Sequence, residues 1–456
     1  MKKMRRKRSM IAAILAAVMV VSGMAGMGMT ARADTCGGLE PEDVYAPSEE
    51  EVIKDPILHW AIRAAMNSIQ GNIKLTADVV GDKSVKNISY ELCAHPEDFE
   101  TEAWEGKQFW IESLEGIQYA KSATMVDIAY TSAVEGKSLA DLSPLSELTQ
   151  LQELILKQNG INNISALSTL TNLTLLDLSV NREITDISSV KDMKKLKRMN
   201  VSYNKITSVD AIAELENLEY VDISQNQIAS LPDVSKLKKV YFLDASHNKL
   251  TDVSAIAGMT ELQELNLAGN SEITDITPLA GLLKLDKDKT VLPDESKKED
   301  LFAAIEVNKL FSLFNISKMQ TSDLTNVQNA LDAYDALSTE QKTYIDENRV
   351  EAARSNKQKV ENGGEPEYYP EYDIDGERQP IWNRLEIKVV DKKGVPIADA
   401  EFTKTSRNAF SETSKTVKTD SFGQLTLTHT ATDAMYDEIE IAPAGDIYVA
   451  EPAAIT

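Results

Sequence analysis

The sequence is short of cysteine, histidine and positive charge. Cys36 and Cys93 are its only cysteines, so at most one disulfide can form. In an exported chain that bridge would tie the N-terminal tail to the first domain, and the other reading is two unpaired thiols. The four histidines, His59, His95, His247 and His429, stand in no H-E-x-x-H or other metal-ligand spacing. No G-x-S-x-G, P-loop, G-x-G-x-x-G or C-x-x-C occurs. With 72 acidic residues, chance neighbours among carboxylates carry no information. The chain reads as a non-enzyme without a cofactor.

Lysine and arginine number 48 against those 72 acids, a net charge of −24. A surface of that sign repels phosphate backbones and anionic lipid, which excludes nucleic acid as a partner. At 42% hydrophobic residues the 456-residue chain still has enough apolar side chain for buried cores, and its length suggests about three domains.

Basic charge is concentrated where it serves export. Residues 1–33 carry seven basic side chains and no acidic one. Six of them fall in Met1–Arg8, followed by the apolar run Met10–Val21 and the small-residue end Ala31-Arg32-Ala33. These are the parts of a secretory signal peptide; the alternative is an uncleaved anchor, since Ser9–Ala31 is uncharged and long enough to span. Cleavage is the expectation, because the second half of that run is rich in Ser, Gly and Met. No later segment has the length and apolarity of a transmembrane helix, so no membrane insertion is expected after cleavage. The product is expected to be secreted or associated with the cell surface.

The middle of the chain repeats. The unit L-x-x-L-x-L-x-x-N begins at Leu151, Leu173, Leu196, Leu218, Val240 and Leu262, at spacings of 22, 23, 22, 22 and 22 residues. A degenerate copy near Ala123, with Val126 and Ile128, lacks the Asn. Positions 4 and 6 alternate as a short strand with two side chains inward. The remainder of each unit is apolar every third residue, as in Val253, Ile256, Met259 and Leu262, or Ile276, Leu279, Leu282 and Leu285. A period of three favours 3₁₀ turns. One unit cannot bury both rows, so neighbours must stack into a curved solenoid. The column Asn159, Asn181, Asn204, Asn226, Asn248 and Asn270 falls where the strand turns, and its amides are expected to satisfy buried backbone groups.

Positions 3, 5 and 7 should face outward on the concave side. Position 7 is mostly Ser (Ser179, Ser202, Ser224, Ser246), and position 5 reads Asp177, Asn200, Asp222, Asp244, Asn266. Position 3 runs Glu153, Leu175, Arg198, Tyr220, Phe242, Glu264. The expected ligand site is a patch of exposed apolar residues Leu175, Tyr220 and Phe242 with Arg198 as a charged contact and Asp222 and Asp244 as a polar rim. Tyr203 and His247, at position 8, lie near the strand ends. Aromatics flanking an Arg have the composition of interface hot spots, whereas isolated surface apolar residues mean little.

These repeats resemble the internalins, leucine-rich-repeat surface proteins of Gram-positive bacteria, over about residues 50–292. The D-[IL]-[ST]-P-L turns at Asp141–Leu145 and Asp275–Leu279 carry the resemblance most specifically. Asp55–Ile69, with Leu58, Ile62, Ala65 and Ile69 on one face, is similar to the helical cap of internalins, and a first repeat needs such a cap. The resemblance implies adhesion: a host protein bound on the concave face. The rivals are a glycan or cell-wall binder using the aromatics as sugar platforms, and a structural spacer without ligand.

Downstream, residues 299–361 have a stripe of Leu324, Val327, Leu331, Tyr334 and Leu337, with Ser338 and Gln341 as a capping box. They are similar to the three-helix modules of Gram-positive extracellular proteins. Glu371, Asp373, Asp375 and Gly376 look like half a calcium loop, but its twelfth position is Trp382, so residues 362–382 read as an acidic linker without metal. Residues 383–456 alternate like strands and resemble the collagen-adhesin B-type stalk modules. Lys388 sits on the plausible donor strand for an isopeptide bond, but no Asn follows Asn408, so no Lys–Asn bond of the usual kind is expected. The pattern stops about a strand short and no cell-wall sorting motif occurs, so either this module is incomplete or attachment to the cell works differently.

The expected architecture is an α+β multidomain chain: signal peptide 1–33, acidic tail 34–49, N-terminal cap 50–122, leucine-rich-repeat solenoid 123–292, three-helix module 299–361, linker 362–382 and β-sandwich 383–456.

Overall fold

The computed structural model describes residues 47–66, 74–81, 85–91, 110–129, 136–367 and 369, together with the backbone of five strands between 384 and 443. The expected signal peptide, Cys36, Cys93 and the half calcium loop lie outside the described residues. The described chain forms two compact units. One draws on residues up to Asp275 and on Lys284–Glu295, the other on Ile276–Leu283 and on the residues from Ser296 onward.

In the first unit helix α1 (Pro56–Ala65) opens the order of elements, succeeded by the single turn α2 (Ala77–Val80). Pro56 at the first helical position and Asp55 before it set the start. The Asp55 carboxylate does two jobs. Its Oδ1 accepts from the Ile57 and Leu58 N–H groups at 3.0 Å each, and its Oδ2 accepts from the Glu112 and Ser113 N–H groups at 2.7 and 3.2 Å. One buried side chain thus caps the helix and holds a segment more than fifty residues away. Leu58 and Ile62 are buried as their spacing predicts, whereas Ala65 is half-buried and Ile69 lies outside the described residues. His59 and Glu51 form a buried pair at 2.7 Å. Burial drives the Glu51 carboxyl up, but hydrogen bonds from His59, Leu75 and Ser48 outweigh it and bring it down to about 2.

Strands β1 (Asn87–Glu91) and β2 (Met125–Ala129) begin a parallel sheet, and α1 packs against β1. The sheet continues through β3 (Glu153–Ile155), β4 (Leu175–Asp177), β5 (Arg198–Asn200), β6 (Tyr220–Asp222), β7 (Phe242–Asp244), β8 (Glu264–Asn266) and β9 (Thr290–Val291), in strictly sequential order. The degenerate copy is therefore a full member of the sheet: Val126 pairs with Leu154 in register. On the return path 3₁₀ turns at Ser143–Glu147, Ser165–Thr169, Ser188–Val190, Asp210–Ile212 and Ser254–Gly258 match the period of three. Several open on an Asx turn, as where the Ser188 and Ser254 N–H groups donate to Asp186 and Asp252.

The Asn column is the internal frame. Asn226 Nδ2 donates to the carbonyls of Val201, Ile223 and Ser224 at 3.0–3.1 Å, while its Oδ1 accepts from the Ile206 N–H at 3.0 Å. Asn248 and Asn270 repeat the pattern one and two units on, with Ile228 and Leu250 as donors. Asn204 is the exception. Its Nδ2 finds its carbonyls, but its buried Oδ1 has no hydrogen-bond partner. The cause is the single 23-residue spacing. Arg182 is inserted between Asn181 and Ile184 with φ 67°, and its N–H turns to the Tyr203 carbonyl, which displaces the isoleucine that elsewhere serves the next Asn.

In the second unit α3 (Lys298–Phe311) packs on the 3₁₀ turn Thr277–Gly281, and Asn308 Nδ2 donates to the Ala280 carbonyl at 3.0 Å. Helices α4 (Leu324–Asp335), α5 (Thr339–Lys342) and α6 (Glu347–Glu361) come next. Val327, Leu331 and Tyr334 are buried, and Ser338 with Gln341 forms the reciprocal capping box. Strands β10 (Arg384–Lys388) to β14 (Glu438–Pro443) include β11 (Glu401–Arg407), β12 (Glu412–Lys418) and β13 (Gln424–Thr428). They form two antiparallel sheets, β10-β13 and β12-β11-β14.

Removing the Asn226 amide leaves the buried Ile206 N–H unpaired and takes one of two donors from each of the Val201, Ile223 and Ser224 carbonyls. Asn226→Ala should therefore cost the repeats about 3 kcal/mol, and Asn204→Ala about 1 kcal/mol less, since its Oδ1 has nothing to lose. Chemical denaturation monitored by circular dichroism ranks the two.

Candidate ligand-binding face

The strand face is built from residues that recur at one position in successive units. Parallel strands lie about 4.8 Å apart, so like positions of adjacent units touch. Tyr220 is paired in register with Arg198 on one side and Phe242 on the other. The Tyr220 and Phe242 rings stack with centroids 4.2 Å apart and planes 15° from parallel. The Arg198 guanidinium lies 5.5 Å from the Tyr220 ring centre. These three side chains are one continuous stack.

That stack corrects the expectation of exposed anchors. Tyr220 is only 5% exposed, because its neighbours cover both faces of its ring, while Phe242, Arg198 and Leu175 are half-buried. The adjacency expected of Tyr220 and Phe242 is present, but as a mutually covered pair.

Position 5 departs further. Asp177, Asn200, Asp222, Asp244 and Asn266 stand in register along the sheet. Asp222 is 6% exposed, so it is no rim residue; Asp244 is half-buried. Each of these side chains folds back on its own strand. Asp222 Oδ1 accepts from the Ser224 N–H at 3.1 Å and its hydroxyl at 2.7 Å, and Asn200 Oδ1 accepts from Ser202 in the same way at 3.0 and 2.7 Å. The serines expected to point outward at position 7 are buried by this contact. Asn266 Nδ2, which sequence reasoning did not single out, donates to Asp244 Oδ2 at 3.0 Å.

The chain leaves strands β3 to β8 through a left-handed residue at position 8. Gln158, Val180, Tyr203, Gln225 and His247 have φ between 52° and 62°, and Gly269 has φ 74°. Only the glycine signals this in the sequence, since L side chains rarely adopt the region. A Cβ at Gly269 would lie 2.5 Å from His247 Nδ1, so a side chain there would have to displace that exposed ring. The turn holds Tyr203 half-buried and His247 exposed.

Burial, and then the charge of Asp244, push the Asp222 carboxyl up to about 7 against the donors of Ser224. Burial also raises Asp177, partly offset by Ser179 and Lys157. The Tyr220 and Tyr203 hydroxyls are driven up by burial and by the charges of Asp222 and Asp244. Among the described residues no three His, Cys, Asp or Glu side chains converge as metal ligands, and no helix is long and apolar enough to cross a membrane.

The fold and face define a class. The family described as leucine rich repeats matches residues 194–236 and 242–281 in two copies, and the parallel sheet of stacked units makes the middle of this chain a leucine-rich-repeat solenoid. Among solved structures the chain is similar to internalin C2 of Listeria monocytogenes, at 28% identity over 51% of this chain and 91% of that one, with a TM-score of 0.43. It is similar to an internalin, InlF, of the same species at 26% identity over 51% and 68%, with a TM-score of 0.38. A leucine-rich-repeat protein of Leptospira interrogans aligns at 19% identity over 42% and 56%, with a TM-score of 0.33. No curated protein matches the chain.

A carboxyl whose native pKa exceeds its ordinary value of 3.8 holds its proton more tightly in the folded chain. Its contribution to stability is complete below about pH 4 and is lost as pH rises towards about 7. Asp222→Asn, which copies Asn200, should match the wild type near pH 4 and exceed it at pH 8 by about 4 kcal/mol. Unfolding curves at the two pH values check this; equal gains at both would remove the buried charge as the cause.

Proposed function

We propose that this is an exported, internalin-like recognition protein that binds a protein ligand on the strand face of its solenoid. In this reading residues 1–33 direct export, and α1 with β1 closes the first repeat edge. Helices α3, α4 and α6, with the single turn α5 between the last two, form the three-helix spacer, and strands β10 to β14 form the β-sandwich stalk. Leu175, Arg198, Tyr203, Phe242, Asp244 and His247 are the contact residues, with Tyr220 holding Arg198 and Phe242 in place. No catalytic group or cofactor enters.

The observation that carries this reading is the Arg198–Tyr220–Phe242 stack. A guanidinium and two rings fixed against one another lose little freedom when a partner arrives, and preordered aromatic and Arg side chains dominate interface energetics. The stack also weighs against the glycan alternative. A sugar platform needs a free ring face, and both faces of Tyr220 are taken, which leaves the outer face of Phe242.

The test is capture of proteins from host-cell surface extract and of glycans from purified cell wall. The full chain is compared with Arg198→Ser/Phe242→Ser, which leaves the buried Tyr220 in place, and with Lys205→Ser/Lys236→Ser on exposed surface lysines. Circular dichroism first establishes that all three fold. Wild type and the lysine variant should retain a protein that the strand-face variant loses at least about tenfold, the scale of one hot-spot residue. Equal retention by all three, or none by wild type, returns the chain to a spacer. Retention abolished by glycosidase treatment of the extract would favour the glycan reading.

A further inference from the structure

The strand face holds two carboxyl groups that form no ion pair among the described residues. Asp222 and Asp244 are directly paired across β6 and β7. Asp222 spends Oδ1 on Ser224, and its Oδ2 makes no hydrogen bond among the described residues. Asp244 spends Oδ1 on the Ser246 N–H and Oδ2 on Asn266. Neither has an ion-pair partner among the described residues, whereas Lys157 lies close enough to Asp177 to offset its charge. A buried carboxyl group beside a half-buried one, without an ion-pair partner, is costly to hold in its charged form.

A second, separate observation falls at the same place. Tyr220 is more than nine-tenths buried, at 5% exposure, yet its hydroxyl makes no hydrogen bond among the described residues. The charges of Asp222 and Asp244 act on that hydroxyl and on the half-buried hydroxyl of Tyr203. Tyr220 and Asp222 stand on one face of β6, with Asp244 in register beside Asp222. Arg198, over the Tyr220 ring, is the cation of this area, and it forms no ion pair with either carboxyl group among the described residues. An ammonium group, with three donors and one positive charge, complements the two carboxyl groups.

We propose that the protein ligand engages this face through a lysine-bearing basic segment, whose ammonium group sits over Asp222 and Asp244 between Tyr203 and Tyr220. The inference rests on the strand-face reading above and gives it a partner chemistry. A net charge of −24 attracts such a segment at long range, and the two carboxyl groups without an ion-pair partner select where it docks.

The experiment uses the full chain and a fluorescent ten-residue peptide of alternating lysine and glycine at 0.15 M salt, where diffuse attraction is largely screened. Its partner probe is the same peptide with every lysine acetylated. Two variants remove the same number of charges: Asp222→Asn/Asp244→Asn on the face, and Glu183→Gln/Glu214→Gln on exposed surface. Asn200 and Asn266 already occupy the same column, so the face variant keeps its backbone contacts, and circular dichroism verifies its fold. The expected result is binding of the lysine peptide, none of the acetylated one, a loss of at least tenfold in the face variant and less than twofold in the control.

Equal loss in both variants, or no binding of the lysine peptide, overturns the proposal. So does thermal stabilisation by calcium that the face variant abolishes, which would put a metal ion where the ammonium is placed. The two readings fail separately. If Arg198→Ser/Phe242→Ser loses the captured protein while Asp222→Asn/Asp244→Asn keeps it, the strand face still binds and only the lysine contact falls.

Discussion

One side-chain amide per unit holds this solenoid together. Each strand must turn before its neighbour, and the turn buries backbone groups that water cannot reach. Asn226 meets that demand from both ends, donating to carbonyls in two successive units and accepting from an N–H of the unit before. Because its bonds with Val201 and Ile206 span about one repeat, the Asn column ties each unit to the one before and fixes the register of the stacked units. The single 23-residue spacing shows the constraint by violating it, for the extra residue Arg182 leaves Asn204 Oδ1 buried and unpaired.

The same register decides the chemistry of the strand face. Strands this close force each residue against its counterparts one unit before and after. Where the counterparts are planar, as at position 3, they stack; where they are small and polar, as at positions 5 and 7, they close over one another. In the proposed reading, recognition on this face uses ordered edges and carboxyl groups without ion-pair partners rather than protruding anchors. Away from the strands, Lys205–Glu183 at 2.7 Å and Lys236–Glu214 at 2.7 Å bridge successive units between exposed side chains. Exposed pairs of this kind contribute little each, so stability rests on the buried apolar rows and the Asn column.

The left-handed residues at position 8 link frame and face. Each releases the chain from its strand towards the Asn of the next position, and each sets where its side chain stands. Tyr203 and His247 owe their places beside the strands to that backbone geometry. Val180, a β-branched residue with φ 62°, occupies the same conformation, which is unfavourable for such a side chain in isolation and is held here by the ladder bond from its N–H to Ser202.

Periodicity alone was enough to read the repeat, the strand positions, the 3₁₀ return path and the structural role of the Asn column. Residues within four positions of one another were enough for the start of α1 and the Ser338–Gln341 capping box. Packing between units was needed to establish that Tyr220 is covered, that Asp222 is buried beneath the rim it was expected to form, and that Asn204 lacks one partner. It also disclosed the left-handed column, which a single glycine marks, and the Asn266–Asp244 contact. Outward on an isolated strand is not exposed in a stack, because burial there is settled by residues about 22 positions away, and their fit depends on both side chains at once.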